Sequence, residues 1–241
     1  MLRPFVTRSP NAQAVVEAIS SDFINRANEL LAEKAEIHVM LTGGTIGIAT
    51  LAALGSDELK NKVDYSRVHF WWGDERFVPK SHEDRNAVQA RKAFLSKIAL
   101  DESKVHEFPA SDEGLSLDEA ASQFAKKLAE QSPHFDLAFV GMGPDGHICS
   151  LFPGKPAPIA GEAIIAEHDS PKPPPARLSF SYEAMNSVDE LWFVVAGADK
   201  QDAVSVAFGD SPEDLPVGRV KGSKATRWYL DSTAATKVFG C

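Results

Sequence analysis

Apolar residues at Ala14, Val15, Ala18, Ile19, Phe23, Ala27, Leu30 and Leu31 recur at intervals of three and four, which predicts an amphipathic helix over residues 11–35 with Ser9-Pro10 at its start. Ile37–Leu41 is then an apolar run of strand length, and it breaks at Thr42-Gly43-Gly44-Thr45. A small apolar helix is expected over 46–54. Val68–Trp72 is a second strand run, ended by Gly73-Asp74-Glu75-Arg76, with a charged loop over 77–85 and helices over 86–98 and 116–130. Leu137–Val140 is a third such run and stops at Gly141-Met142-Gly143-Pro144. Strand and helix thus alternate three times, the signature of parallel strands joined by helical crossovers.

The pattern changes after Gly154. Residues 155–175 are rich in proline, and 171–175 is expected to be an extended surface loop. Arg177–Phe180, Glu190–Val195 and 226–230 read as further strands, Tyr182–Asn186 as a helical turn and 197–208 as a helix. The fold class is α/β: an open, mainly parallel sheet flanked by helices, with extra short strands in the C-terminal third. The proline segment separates no piece large enough for its own core, so one domain is expected over 1–241.

Composition narrows the partners. The hydrophobic share of 44% and charged share of 24% are those of an ordinary soluble globular chain. A net charge of −9 argues against nucleic-acid binding but leaves room for a local basic pocket around a small anion. No apolar run approaches the ~20 residues of a membrane span, and no basic stretch followed by an apolar core opens the chain. Two cysteines, Cys149 and Cys241, cannot form a disulfide framework. A cytoplasmic protein is expected.

Candidate chemistry sits where strands end, because ligands of open parallel sheets bind beyond the carboxyl ends of the strands. Gly43, Gly44 and Thr45 open a helix whose N-terminal N–H groups suit a phosphate; the alternative is a tight turn with a threonine cap. The loop matches neither a dinucleotide nor a nucleoside-triphosphate fingerprint. Arg76 offers a planar fork to the same anion, and Asp74 or Glu75 would orient it or join the catalytic group; a solvated charged turn is the alternative. Asp145-Gly146-His147 places a carboxylate beside a histidine, the usual general base near neutral pH. Cys149 follows closely, but its apolar neighbours favour packing over a nucleophile. No histidine or cysteine spacing suits a metal, so none is expected. Arg177 and Lys200 complete the basic candidates; Lys200, near the start of a helix, is better explained with an anion between it and the helix end.

Taken in order, Leu41-Thr42-Gly43-Gly44-Thr45, Trp72-Gly73-Asp74-Glu75-Arg76 with Asp84-Arg85-Asn86, Gly141-Met142-Gly143-Pro144-Asp145-Gly146-His147 with Ser150-Leu151-Phe152-Pro153, Arg177-Leu178-Ser179 and Ala196-Gly197-Ala198-Asp199-Lys200 resemble the glucosamine-6-phosphate isomerase/6-phosphogluconolactonase family over nearly the whole chain. The resemblance implies a Rossmann-like sheet of the kind those sugar-phosphate enzymes share. It implies hydrolysis of 6-phospho-D-glucono-1,5-lactone to 6-phosphogluconate in the oxidative pentose phosphate pathway, without metal or organic cofactor. Gly43, Gly44 and Thr45 would hold the phosphate with Arg76, Arg177 and Lys200; His147 would be the base, Asp145 its orienting partner, and Asp74 an electrostatic support. A deaminase relative would carry a ring-opening Glu where Phe152 stands, and phenylalanine moves no proton. A non-catalytic sugar-phosphate sensor would lack the Asp145–His147 pair. Ile46-Gly47, Cys149 and Arg85 depart from the residues usual in the family, and none of them is the presumed base. The expected partner is a small sugar phosphate, with no nucleic acid and no membrane, acting on a monomer or small homo-oligomer.

Overall fold

The structure is a computed structural model that describes residues 3–239. The chain begins with strand β1 (Phe5–Ser9), and helix α1 (Ala12–Glu33) follows, capped by the Asn11 side chain, which accepts the Ala14 N–H at 3.0 Å. Strand β2 (Ile37–Leu41) leads into α2 (Gly44–Leu54), then β3 (Val68–Trp72), a short β4 (Asp74–Arg76) and α3 (Asn86–Ala93). Helix α4 (Leu117–Gln131) starts in a full capping box between Ser116 and Glu119 and delivers the chain to β5 (Leu137–Val140). Then come β6 (Ile164–Glu167), β7 (Arg177–Phe180), α5 (Tyr182–Asn186), β8 (Glu190–Val195), α6 (Gln201–Ala207), β9 (Ala225–Asp231) and α7 (Ser232–Phe239).

Six strands form one sheet in the order β1-β9-β8-β5-β2-β3, and every pair in it is parallel. Helical crossovers cover both faces, which is why β5 and β8 are buried at every position and, apart from Glu190 at the start of β8, read as apolar runs. From β2 the chain moves outward to β3; from β5 it moves the other way, to β8 and then β9. The loops leaving β2 and β5 therefore diverge, and a crevice opens between them at the carboxyl edge. The α/β, mainly parallel architecture expected from the sequence is what the structure has.

Four elements were not anticipated. Strand β1 is an edge strand with mixed exposure and no alternating signature, and α7 closes the chain behind β9. Strand β4 falls within what read as a turn, and β6 lies inside the proline-rich 155–175 segment. β4, β7 and β6 pair antiparallel in a second, three-stranded sheet. Such strands acquire their pairing from chain distant in sequence, so local periodicity does not reveal them. The second sheet is pinned to the first by aromatic edges: Phe180 of β7 meets Phe135 at a centroid distance of 5.6 Å. The helix expected over 86–98 ends at Ala93 and gives way to a 3-10 turn, and the one expected over 197–208 begins as the 3-10 turn Ala198–Lys200. Cys241 lies outside the described residues.

Candidate active site

The crevice is a cleft of about 570 Å³ into which Gly43, Gly44, Thr45, Asp74, Arg76, His147, Arg177 and Lys200 all face. Asp145 stands behind it, bonded to His147. Helix α2 provides one end. Its cap, Gly43, makes no side-chain hydrogen bond, so the first-turn N–H groups of Gly44, Thr45 and Ile46 are left to the cleft. Gly44 has φ +78°, a left-handed conformation that suits glycine. Gly43 must be bare for a different reason: a Cβ there would overlap the Asn86 side chain.

The turn after β5 builds the other end. The N–H of Gly143 donates to His147 O at 2.9 Å, and that of Gly146 to Gly143 O at 3.0 Å. This small closed loop brings His147 Nδ1 to 2.5 Å from Asp145 Oδ1. A carboxylate only accepts, so the Nδ1–H donates, and Nε2 remains the basic nitrogen with no hydrogen-bond partner among the described residues. The ring packs against Phe152 at 4.7 Å between centroids, which fixes it from the side. Burial pulls the imidazole below its ordinary value, with the Lys172 charge adding to that, against the opposite pull of Asp145 and Asp74. Burial alone would raise Asp145, but the hydrogen bond and charge of His147, with the charge of Lys172, hold it below the usual carboxylate range. The pair is therefore an ionised carboxylate orienting a neutral base.

Between these ends lies a buried polar cluster. Asp74 Oδ2 accepts from Ser150 Oγ at 2.7 Å, and Asn86 Nδ2 donates to the Asp74 carbonyl at 2.9 Å. Glu75 takes no part in the cleft. Its carboxylate receives the N–H groups of Arg76, Asn86 and Ala87 at 2.7–2.9 Å and so caps α3. Burial pushes it up to about 7, against Arg85 and those three donors. Arg76 gives one N–H to the Asp84 carbonyl at 2.6 Å, and its buried Nε has no partner. Lys200 lies beside Asp199 at 2.9 Å. Cys149 contacts Gly73 on the wall, and burial, with Asp74 adding, pushes its thiol well up, which suits packing rather than a thiolate.

Three residues that line or support this cleft escaped the sequence reading as site candidates. Lys172, on the proline strap, lines it with Nζ 3.3 Å from His147 Nδ1 and 3.6 Å from Asp145 Oδ1. Asn86 and Ser150 are the others. A charged residue locked between Pro171 and Pro173 was the signal available for Lys172; a lysine serving only as linker needs no such rigidity. Among the described residues, His134, Asp136 and Asp189 form the one grouping close enough for a metal, at the opposite edge of the sheet. Lys34 and Lys224 already pair with its carboxylates.

The model of the family "Glucosamine-6-phosphate isomerases/6-phosphogluconolactonase" matches residues 10–228. A 6-phosphogluconolactonase of Streptomyces coelicolor is 37% identical over 94% of this chain and 91% of its own. One of Mycobacterium tuberculosis is 37% identical over 95% of this chain and 96% of its own. The solved 6-phosphogluconolactonase of Trypanosoma brucei superposes with a TM-score of 0.87 over 99% of this chain and 100% of that one; at 23% identity it speaks for the fold alone. The cleft at the β2/β5 divergence thus sits in a chain that belongs to the glucosamine-6-phosphate isomerase/6-phosphogluconolactonase family.

Proposed function

We propose that this chain hydrolyses 6-phospho-D-glucono-1,5-lactone to 6-phosphogluconate, the lactone-opening step of the oxidative pentose phosphate pathway, in the cytoplasm. One observation carries the reading: a His147 oriented by Asp145 shares a cleft with the free N-terminus of α2 and the cations Arg76 and Lys200. The phosphate is held by the N–H groups after Gly43, by the Thr45 hydroxyl and by those two side chains. Anchoring it at one end sets the lactone carbonyl against the catalytic turn at the other and removes entropy from the attack.

His147 Nε2 takes a proton from water as its oxygen bonds to C1. Asp145 holds the Nδ1–H and stabilises the imidazolium formed. The carbonyl becomes a tetrahedral oxyanion, for which Lys172 supplies the cation nearest the turn. On collapse the C1–ring-oxygen bond breaks, and the imidazolium returns its proton to the departing oxygen. Phe152 beside the histidine offers no acid for the ring opening of an amino sugar, which favours the lactonase over a deaminase.

The test is hydrolysis of freshly made lactone, coupled to oxidation of 6-phosphogluconate and corrected for spontaneous opening, by wild type and His147→Ala. Turnover above background in wild type with its loss in the variant supports substrate and base together. Turnover in both would remove His147 from the role. Background rates in wild type would overturn the lactonase, and ammonia release from glucosamine 6-phosphate would replace it.

A further inference from the structure

Arg177, on β7, is 5% exposed, and the Nε and Nη2 donors of its guanidinium are taken up by backbone carbonyls. Nε donates to the Pro174 carbonyl at 2.9 Å, and Nη2 donates to those of Lys172 at 3.0 Å and Pro173 at 3.2 Å. Nη1 lies 3.9 Å from Asp74 Oδ2. Three consecutive backbone carbonyls are gathered on one fork, an arrangement that the planar five-donor geometry of arginine permits and a point charge does not.

We infer that Arg177 is a positioning residue that clamps the strap 172–174 over the turn that carries His147. The strap carries Lys172, whose carbonyl is on the clamp and whose Nζ is 3.3 Å from His147 Nδ1. Asp74 extends the clamp to the turn itself: it neighbours Arg177 and accepts from Ser150 Oγ, three residues beyond His147. Ser150 N–H donates in turn to Ser179 Oγ at 3.2 Å, on the same strand as Arg177. Strand β7 therefore holds strap and turn in one register, and Arg76, directly opposite Arg177 in the β4–β7 pair, is left to serve the cleft. The role rests on the hydrolytic reading, but the clamp can be read without turnover.

Three measurements on Arg177→Lys test it. Hydrogen exchange of the strap peptide containing Ser170 and Lys172, whose N–H groups donate to Pro175 O and Ser170 Oγ, should quicken about 10-fold. Affinity for inorganic phosphate should stay within ~3-fold, while kcat for the lactone falls by about 10²-fold with KM little changed. Lysine keeps a buried cation beside Asp74; Arg177→Gln, which keeps a strap donor, serves if the first variant does not fold. In a Lys172→Met background the same substitution should cost little more, since its effect passes through the strap. Phosphate affinity weakened 10-fold or more with strap exchange unchanged would make Arg177 an anion ligand and overturn the inference, as would full additivity with Lys172→Met. Exchange and phosphate binding need no substrate, so they answer even if the lactonase reading fails.

Discussion

Gly143 has no room for a side chain, because a Cβ there would overlap the His147 ring and crowd Asp145. Gly143→Ala should therefore separate the dyad and lower kcat by about 10²-fold with a much smaller change in KM, measured on the lactone. Equal kcat in the variant would mean that the pair tolerates displacement. The pH profile tests the same pair. With His147 as the proposed base, its neutral form does the work and its value is depressed, so kcat/KM should hold as pH falls through the ordinary histidine value and decline only below it. Asp145, Lys172 and Asp74 are the charges that bear on it. Lys172 pushes it down, so Lys172→Met should move the acidic limb to higher pH; a limb left in place would remove Lys172 from the electrostatics of the base. The Asp145–His147 turn and the glycine loop could be picked out in the sequence, since each is a local run of residues, and the structure brings both to one cleft. Lys172 was not legible, because it reaches the turn from 25 residues away through a strap whose fold local pattern does not dictate.

Among the elements, α2 contributes through what its start lacks and α4 through what its start has. A Cβ on Gly43 would meet Asn86, which is itself held by Asp74, so Gly43→Ala should push the β2–α2 loop off its course. Phosphate affinity, by calorimetric titration with 6-phosphogluconate, should fall by about 10-fold or more, with the thermal midpoint changing far less. Unchanged affinity would move the anion site elsewhere. Ser116→Ala removes half of the α4 capping box, outside the lining of the cleft, and should cost about 1 kcal/mol, or 2–4 °C of thermal midpoint, with kcat intact. The long amphipathic helices and buried strands were readable from periodicity because burial repeats along each of them. β4 and β6 were not, since a three- or four-residue strand exists by virtue of its partner; Asp74, Glu75 and Arg76 look like a charged turn until β7 lies beside them.

For the molecule as a whole, the acid limb of stability should come in part from histidines far from the cleft. His38 and His69 stack at 4.3 Å between centroids, and His106 lies against Trp71 at 3.9 Å. Burial pulls His38 down to about 4 and His106 to about 3. Their unfolded forms take up protons first as pH falls, so each contributes stability that is complete above about pH 6.5 and lost as pH falls toward the folded value. Buried Glu75, held up near 7, opposes them below that pH by binding a proton in the folded state that the unfolded chain gives up. His106→Gln isolates one contribution: its unfolding free energy relative to wild type should change by ~1.4 kcal/mol per pH unit between about pH 6 and 4. A constant difference would show that His106 is not held neutral.

Local pattern along the chain set the α/β class, the alternation that makes the sheet parallel, and the glycine turns at the strand ends. Those properties are set by residues within a few positions of one another, through burial periodicity and backbone freedom at glycine. Long-range packing set the return of the strap over the His147 turn, the division by which Glu75 caps a helix while Asp74 faces the cleft, and the grip of Arg177 on carbonyls of its own chain. Those outcomes depend on which distant groups compete for each charge once water is excluded, and that competition exists only in the folded chain.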